Sequence, residues 1–380
     1  MNRNKLKFSS ALTIIAILIA SLMVFSFGCV KKEEKEIKIG VIAPLTGDAA
    51  IYGNALKTGL DLAVEEVNAT GGIKDRKISL IYEDSQADPK NAISAFNKLV
   101  SINKVSVIIG DMFSSTTLAI APLAQKNKIV LLSPTASSEE VPKTGDFIFT
   151  IYPSDSYDGT FVGKFTSATL QKKTAAVIYV QADAMVAAKN AFIKTFTDLG
   201  GKVPIEEGYP PKTNDFRSIL TKIKSVKPEV IFVPGYLEEI VKILNQAKEI
   251  GIKSQFIAIS TAYDENLFSL APNTAQGLIL SAPFYDQASK QPEIVSFQEK
   301  FKKKFGDIPN VWAAYGYDAM NIVTKALNNS LTNNTPLNIE LSRIKNYSGV
   351  TGSTTFFENR KVEKQLRMMI VSDNKFIEYR

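Results

Sequence analysis

Short apolar runs of strand length alternate with helix-length segments along nearly the whole chain, and this alternation restricts the fold more than any single motif. Residues 37–42 read as a strand. Leu56, Leu60, Ala63, Val64 and Val67 then recur at helical spacing until Gly71-Gly72 stops the helix. Residues 78–82 form the next strand, and Asp88-Pro89 opens a helix with Ala92, Ile93, Phe96, Leu99 and Val100 on one face. Strands follow at 105–109 and 129–132. After a break at Tyr152-Pro153-Ser154-Asp155 the pattern restarts, with strands at 175–180, 230–233 and 256–259 and helices at 184–199, 215–226 and 237–250. Two later helices (294–305 and 311–327) precede a tail of short strands at 354–357 and 367–371. Strand and helix in alternation are the signature of a parallel sheet covered by helices on both faces. The 380 residues accommodate two such units, and no low-complexity linker separates them. The expected fold is therefore α/β, with two doubly wound parallel-sheet lobes joined by several crossings.

Two strand-to-loop transitions lie within residues 105–138. One strand runs into Gly110-Asp111-Met112-Phe113-Ser114-Ser115-Thr116-Thr117 and then a helix. The other runs into Ser133-Pro134-Thr135-Ala136-Ser137-Ser138. In open parallel sheets ligands bind where loops leave the carboxyl ends of strands. Unpaired N–H groups at a helix start and the positive end of its dipole suit a carboxylate or phosphate, and hydroxyls add neutral donors. Ser and Thr are equally common as helix caps and turn formers, so the residue types alone leave both readings open.

The formal charge is +7, but Arg3, Lys5 and Lys7 contribute three of those charges at the start of the chain. The remaining lysines are dispersed, which reads as a solvated surface and not as a nucleic-acid footprint. Residues 1–28 read as an export signal: a basic start, then an apolar core at 11–25 that is short for a membrane span. There is no histidine, and Cys29 is the sole cysteine. This excludes Ser-His-Asp and Cys-His triads, histidine-ligated metals and imidazole acid–base chemistry. No enzyme activity, cofactor or metal is implied.

The order of short motifs resembles a known family. Ile39-Gly40-Val41-Ile42-Ala43-Pro44-Leu45-Thr46-Gly47, Tyr52-Gly53 and Val67-Asn68-Ala69-Thr70-Gly71-Gly72-Ile73 are similar to the start of type I periplasmic binding proteins. The match is to the leucine-isoleucine-valine-binding branch, which serves ABC transporters. Asp88-Pro89, Ile109-Gly110, the two hydroxyl loops, Tyr152-Pro153-Ser154-Asp155, Gly235-Tyr236 and Gly349-Val350-Thr351-Gly352 continue it, over almost all of residues 37–380. Phe27-Gly28-Cys29 resembles a bacterial lipobox, although Ser26 and Phe27 depart from its usual residues. Lipidation at Cys29 would hold the protein at a membrane surface through a tether at 29–36.

The resemblance implies two lobes closing like a hinge on a small ligand, with crossings near Ile151, Ala282 and Gly349. Lobe one is then 37–150 plus 283–349, and lobe two 151–282 plus 350–380. The implied ligand is an apolar or branched-chain amino acid, or a related carboxylate. Its carboxylate site carries over to Ser114, with Ser115 beside it, and to Thr135 and Ser137. Tyr52 falls beside the ligand side chain, and Tyr236 falls on a lobe-two contact made on closure. Lobe two departs from the family pattern at Ala184, where a tyrosine is usual, and at Ser260, where the acid for the ligand ammonium is usual. Asp264, Asp111 or Asp183 then supplies the charge, or the ligand lacks an α-amino group. Asp264 reads equally as a helix cap. The implied partners are the small ligand, an ABC transporter permease and, through the anchor, a membrane; no nucleic acid is expected. The implied location is the periplasm or the outer face of the cytoplasmic membrane. The alternative role is a ligand-sensing receptor for a signalling partner.

Overall fold

The computed structural model describes residues 36–379 except Asn359 and Lys361. The signal segment, Cys29 and most of the tether lie outside the described residues. Two sheets organise the chain. The first is five-stranded and parallel, in the order β2-β1-β3-β4-β5, from β1 (Ile37–Ala43), β2 (Ile78–Asp84), β3 (Val107–Ile109), β4 (Val130–Ser133) and β5 (Ile148–Thr150). The second repeats that order with β6 (Thr174–Val180), β7 (Lys202–Tyr209), β8 (Val230–Val233), β9 (Gln255–Ala258) and β10 (Ile279–Pro283). It then adds β14 (Leu366–Ser372) and β15 (Lys375–Glu378) antiparallel on the β10 edge.

In the first sheet β1, β3 and β4 are apolar on both faces because helices cover both. On one face α1 (Ala50–Ala69) packs with α11 (Val311–Asn333), which brings Tyr315, Ile322 and Val323 against Ile39, Val41, Ile109 and Leu132. On the other, α2 (Pro89–Ser101) and α3 (Ser114–Asn127) bury Phe96, Leu99 and Ile120. Asp88 caps α2, accepting from the Lys90 and Asn91 amides, with Pro89 in the first turn. Two glycines permit the α1–α11 contact: a Cβ on Gly59 would stand 1.9 Å from the Ala313 carbonyl, and one on Gly316 2.4 Å from that of Leu56. The helix α4 (Glu140–Lys143) is a single turn before β5.

The second core forms around Phe192 of α6 (Asp183–Asp198), stacked at 4.2 Å on Phe232 of β8. The helices α5 (Asp155–Ala168), α7 (Arg217–Val226), α8 (Leu237–Glu249) and the short α9 (Asn266–Leu270) complete lobe two. The edge strand β7 is not apparent from sequence. Its burial alternates, and it carries Pro204, Glu206 and Glu207, which an edge strand tolerates and a central one does not.

The chain passes from the first core to the second between Ile151 and Asp155, and returns after Pro283 into α10 (Pro292–Phe305), whose Phe297 and Phe301 pack with Leu62 of α1. The third passage differs from the expectation at Gly349. After α12 (Leu337–Ser342), β11 (Tyr347–Gly349), β12 (Gly352–Phe356) and β13 (Val362–Lys364) form a separate antiparallel sheet that stays with lobe one. Phe356 packs edge-on against Phe149 at 5.4 Å. The cause lies at Asp318 of α11, which is fully buried. It accepts from the Val350 amide at 3.0 Å, the Thr351 amide at 2.8 Å and the Thr351 hydroxyl. Lys364 lies 3.8 Å from the same carboxylate. The chain therefore crosses at Gln365, between β13 and β14.

Candidate functional site

The loops after β1, β3 and β4 leave the carboxyl edge of the first sheet next to the point where its strand order reverses. Hydrogen bonds tie the β3 and β4 loops into one unit. Ser133 Oγ donates to the Asp111 carbonyl at 2.6 Å, Thr135 Oγ1 to the Met112 carbonyl at 2.7 Å, and the Ser138 amide to Ser114 Oγ at 3.2 Å. Thr116 and Thr117 turn back onto the Phe113 carbonyl. The hydroxyls of these threonines and of Thr135 are engaged within the loops, and Thr135 is buried. Ser114 and Ser115 begin α3 and are not its caps: Phe113 holds the cap position without a side-chain bond. Their amides belong to the first turn, where no intrahelical acceptor exists. Ser115 is exposed, and Ser114 and Ser137 are half-buried.

Tyr52, on the first turn of α1, meets Phe113 at 6.3 Å and Trp312 at 5.5 Å, both edge-on. Trp312 is the chain's only tryptophan. It enters from α11, where Asn310 caps the helix by accepting from the Ala313 amide at 3.0 Å. The Pro309-Asn310 helix start was a legible sign of its position, though not of its neighbours.

Asp155 is the residue that sequence reading missed. It follows the Ser154 cap of α5, and its amide donates to the Ser137 carbonyl at 3.3 Å. Its carboxyl shares a hydrogen bond with the Ser137 side chain. Burial pushes the Asp155 carboxyl up to about 6; the Ser137 bond opposes this, and the negative charges of Asp158 and Glu139 add to it. Tyr236, at the start of α8, is 43% exposed, and burial and then the Asp155 charge raise its phenol. Asp155 thus bonds the lobe-one loop at Ser137, and its charge reaches the lobe-two tyrosine.

Ser260, expected to face a ligand, turns to another buried acid instead. Its amide (3.2 Å) and hydroxyl (2.7 Å) both donate to Asp158 Oδ2, and Ser281 donates to Asp158 Oδ1. Tyr152 shares a hydrogen bond with the same serine. Burial holds the Asp158 carboxyl above its usual range, against those three donors. Thr261 then donates to the Gly235 carbonyl at 2.5 Å, linking this group to the loop that carries Tyr236. Asp264 accepts from the Asn266 amide at 2.8 Å, a local turn just before α9, whose N-cap is Glu265 and not Asp264. Asp111 is fully buried below the β3 loop, accepting from the Met112 amide, and Asp183 is exposed on the first turn of α6. Ala184 is half-buried beside it. The structure shows none of these three acids meeting Ser137 or Tyr236. A cavity of about 250 Å³ behind Ser137 is bounded by Glu139, Tyr152, Ser156 and Phe357, and excludes Ser114, Tyr52 and Tyr236.

Two doubly wound lobes with donors on one and an acid and a phenol on the other define a two-lobed solute receptor, a binding protein and not an enzyme. The chain belongs to the periplasmic binding protein family, whose model matches residues 36–375. It is 25% identical to the leucine-, isoleucine-, valine-, threonine- and alanine-binding protein of Pseudomonas aeruginosa, covering 90% of this chain and 91% of that protein. A putative branched-chain amino acid ABC transporter structure from Rhodospirillum rubrum aligns with TM-score 0.80 at 26% identity, over 90% of this chain and all (100%) of that one. The substrate-binding protein LivJ of Streptococcus pneumoniae, in complex with isoleucine, aligns with TM-score 0.75 at 27% identity, over 91% of this chain and 100% of that one. Among the described residues no helix is long and apolar enough to cross a membrane.

Proposed function

We propose that this protein is the exported, lipid-anchored receptor of an ABC importer and captures an apolar, branched-chain-type α-amino acid between its lobes. The ligand carboxylate lies against the first turn of α3 at Ser114 and Ser115 and against Ser137. Its side chain lies on Tyr52, Phe113 and Trp312. Its ammonium lies against Asp155, with Tyr236 covering it from lobe two. The observation that carries this reading is the position of Asp155, which bonds Ser137 and acts on Tyr236. It supplies an anion on the ligand side while Ser260 is committed to Asp158. A buried ammonium needs such a partner. The isoleucine complex of the S. pneumoniae relative and the name of the P. aeruginosa one support the ligand class. The anchor is Cys29, and an importer permease receives the ligand.

Ser260 also motivates a second reading, in which the ligand is a carboxylate without an amine. Calorimetry with leucine and with its deaminated analogue separates the two. The amino acid is expected to bind at least about tenfold more tightly, about 1.4 kcal/mol. Equal affinity would remove Asp155 from the role of ammonium partner.

A further inference from the structure

Lysines that lie scattered along the sequence collect at one end of lobe one. In a parallel sheet every strand starts at the same edge, so the loops leading into β1–β4 lie side by side. The loop into β2 carries Lys74, Arg76 and Lys77, the loop into β3 Lys104, and the last turn of α3 and its C-cap before β4 carry Lys126 and Lys128. All five lysines are exposed, and none forms an ion pair with another described residue. The acids on this edge are few: Asp75, Glu36 at the entry to β1, and Asp146, which is paired with Arg360 at 2.5 Å. Strands spaced about 4.8 Å apart place β2 and β4 within roughly 15 Å. The loops into β3 and β4 lie one spacing apart, within the physiological screening length of about 8 Å, so the fields of their lysines overlap; the β2 loop is two spacings from β3, about 10 Å, and overlaps more weakly. Lysines near helix ends also favour the helix dipole, which accounts for Lys126 and Lys128. It does not account for Lys74 and Lys77, which sit in the turn before β2.

Two further features fall on this edge. Ile102, just past the end of α2, is 72% exposed among these lysines. The chain also enters the fold here: the Ile37 amide donates to the Lys77 carbonyl at 2.9 Å, and Arg76 Nη2 to the Glu36 carbonyl at 3.5 Å. Whatever precedes residue 36 leaves from between basic loops.

We infer that the strand-start edge of lobe one, built from Lys74, Lys77, Lys104, Lys126 and Lys128 around Ile102, docks on anionic phospholipid headgroups. This rests on the proposed anchoring at Cys29 for its direction. Residues 29–36 reach at most about 28 Å, at roughly 3.5 Å per residue, which keeps this edge close to the bilayer. The lysines would add electrostatic attraction to anionic headgroups on top of the acyl anchor.

The test uses the mature chain carrying Cys29→Ser, which cannot be acylated, in co-sedimentation with vesicles. It is expected to bind phosphatidylglycerol-containing vesicles and not pure phosphatidylcholine, and to come off in about 0.5 M salt. Replacing Lys74, Lys77, Lys104 and Lys128 by Glu is expected to lower binding about tenfold or more. The matching edge of lobe two offers the control, with both lysine sets compared in the acylated chain: Lys173, Lys202, Lys227 and Lys253 are also exposed there, but residue 36 enters the fold at the lobe-one edge, so the anchor presents that edge to the bilayer. Their replacement by Glu is expected to change binding less than about twofold. Circular dichroism melting checks each variant, and Ile102→Asp is a milder second probe, expected to weaken binding without touching the core. Equal loss from both lysine sets, or equal binding to both vesicle types, would overturn the docking surface. Failure of the anchor itself is read separately, as unchanged membrane partition of Cys29→Ser in cells.

Discussion

At the scale of single residues, the proposed function makes Asp155 the group that decides what the cleft accepts. In the unliganded protein burial and two neighbouring acids hold its carboxyl near 6, well above the ordinary carboxylate range. An acid raised in this way stabilises the fold fully at low pH, below its unfolded value, and that stabilisation is lost as pH rises through about 6. An ammonium bound against it reverses the balance, because it favours the ionised form. Binding below pH 6 must then expel a proton. A ligand with an α-amino group is expected to bind about tenfold more weakly at pH 5 than at pH 7, by the proton linkage of one group. Asp155→Asn is expected to lose affinity and to flatten the profile. Calorimetry across this range checks both, and a wild-type affinity unchanged between pH 7 and pH 5 would exclude Asp155 as the ammonium partner. The hydroxyl loops that carry Ser114 and Ser137 were visible in the sequence, and the family resemblance singled out these two serines as candidates. Asp155 was not singled out, although its Pro-Ser-Asp motif was visible: a cap motif does not say which loop of the other lobe lies opposite it. Ser260 shows the reverse. The resemblance marked it as a candidate ligand contact, but its partner, Asp158, lies about a hundred residues away in sequence and meets it only through the fold.

At the scale of elements, periodicity revealed the helices and the inner strands because their apolar faces are long and regular. It missed β7, whose exposed edge admits Pro204 and two glutamates. It also put the third passage at the glycine-flanked turn 349–352, where a chain reversal is cheap. The turn is instead held inside lobe one by Asp318, whose role depends on a helix about thirty residues earlier. Burial lowers the Lys364 ammonium to about 8, and the Asp318 charge opposes that shift. Removing one member of a buried charged group leaves the other unpaired, and this typically costs about 3–5 kcal/mol. Asp318→Ala is therefore expected to lower unfolding stability by about that amount, together with the loss of anchoring for the Val350 and Thr351 amides. Urea unfolding measures it, and a loss below about 1 kcal/mol, the range of a surface pair, would mean that this turn is held by something other than Asp318.

At the scale of the whole molecule, the two sheets carry different halves of the proposed site. Ser114 and Ser137 belong to the loops of the first sheet, and Tyr236 opens a helix of the second. A ligand can shift the balance between open and closed lobes only through contacts that differ between those states. Tyr236 is the residue to test, because it is 43% exposed and supports no core. Its loop is nevertheless fixed, through Thr261 and Ser260, to Asp158 near the first and second passages. A contact made by Tyr236 is thus mechanically joined to the region about which the lobes would turn. Tyr236→Ala is expected to leave the unliganded radius of gyration unchanged, to weaken binding of leucine, and to reduce the compaction that leucine produces in small-angle scattering. Ser114→Ala is expected to weaken binding by about 1–3 kcal/mol through a lost donor to a charged group, yet to leave full compaction at saturating ligand, since Tyr236 still engages. If both variants compact equally at saturation, closure is driven from lobe one and the hinge alone, and Tyr236 is a bystander at the cleft rim.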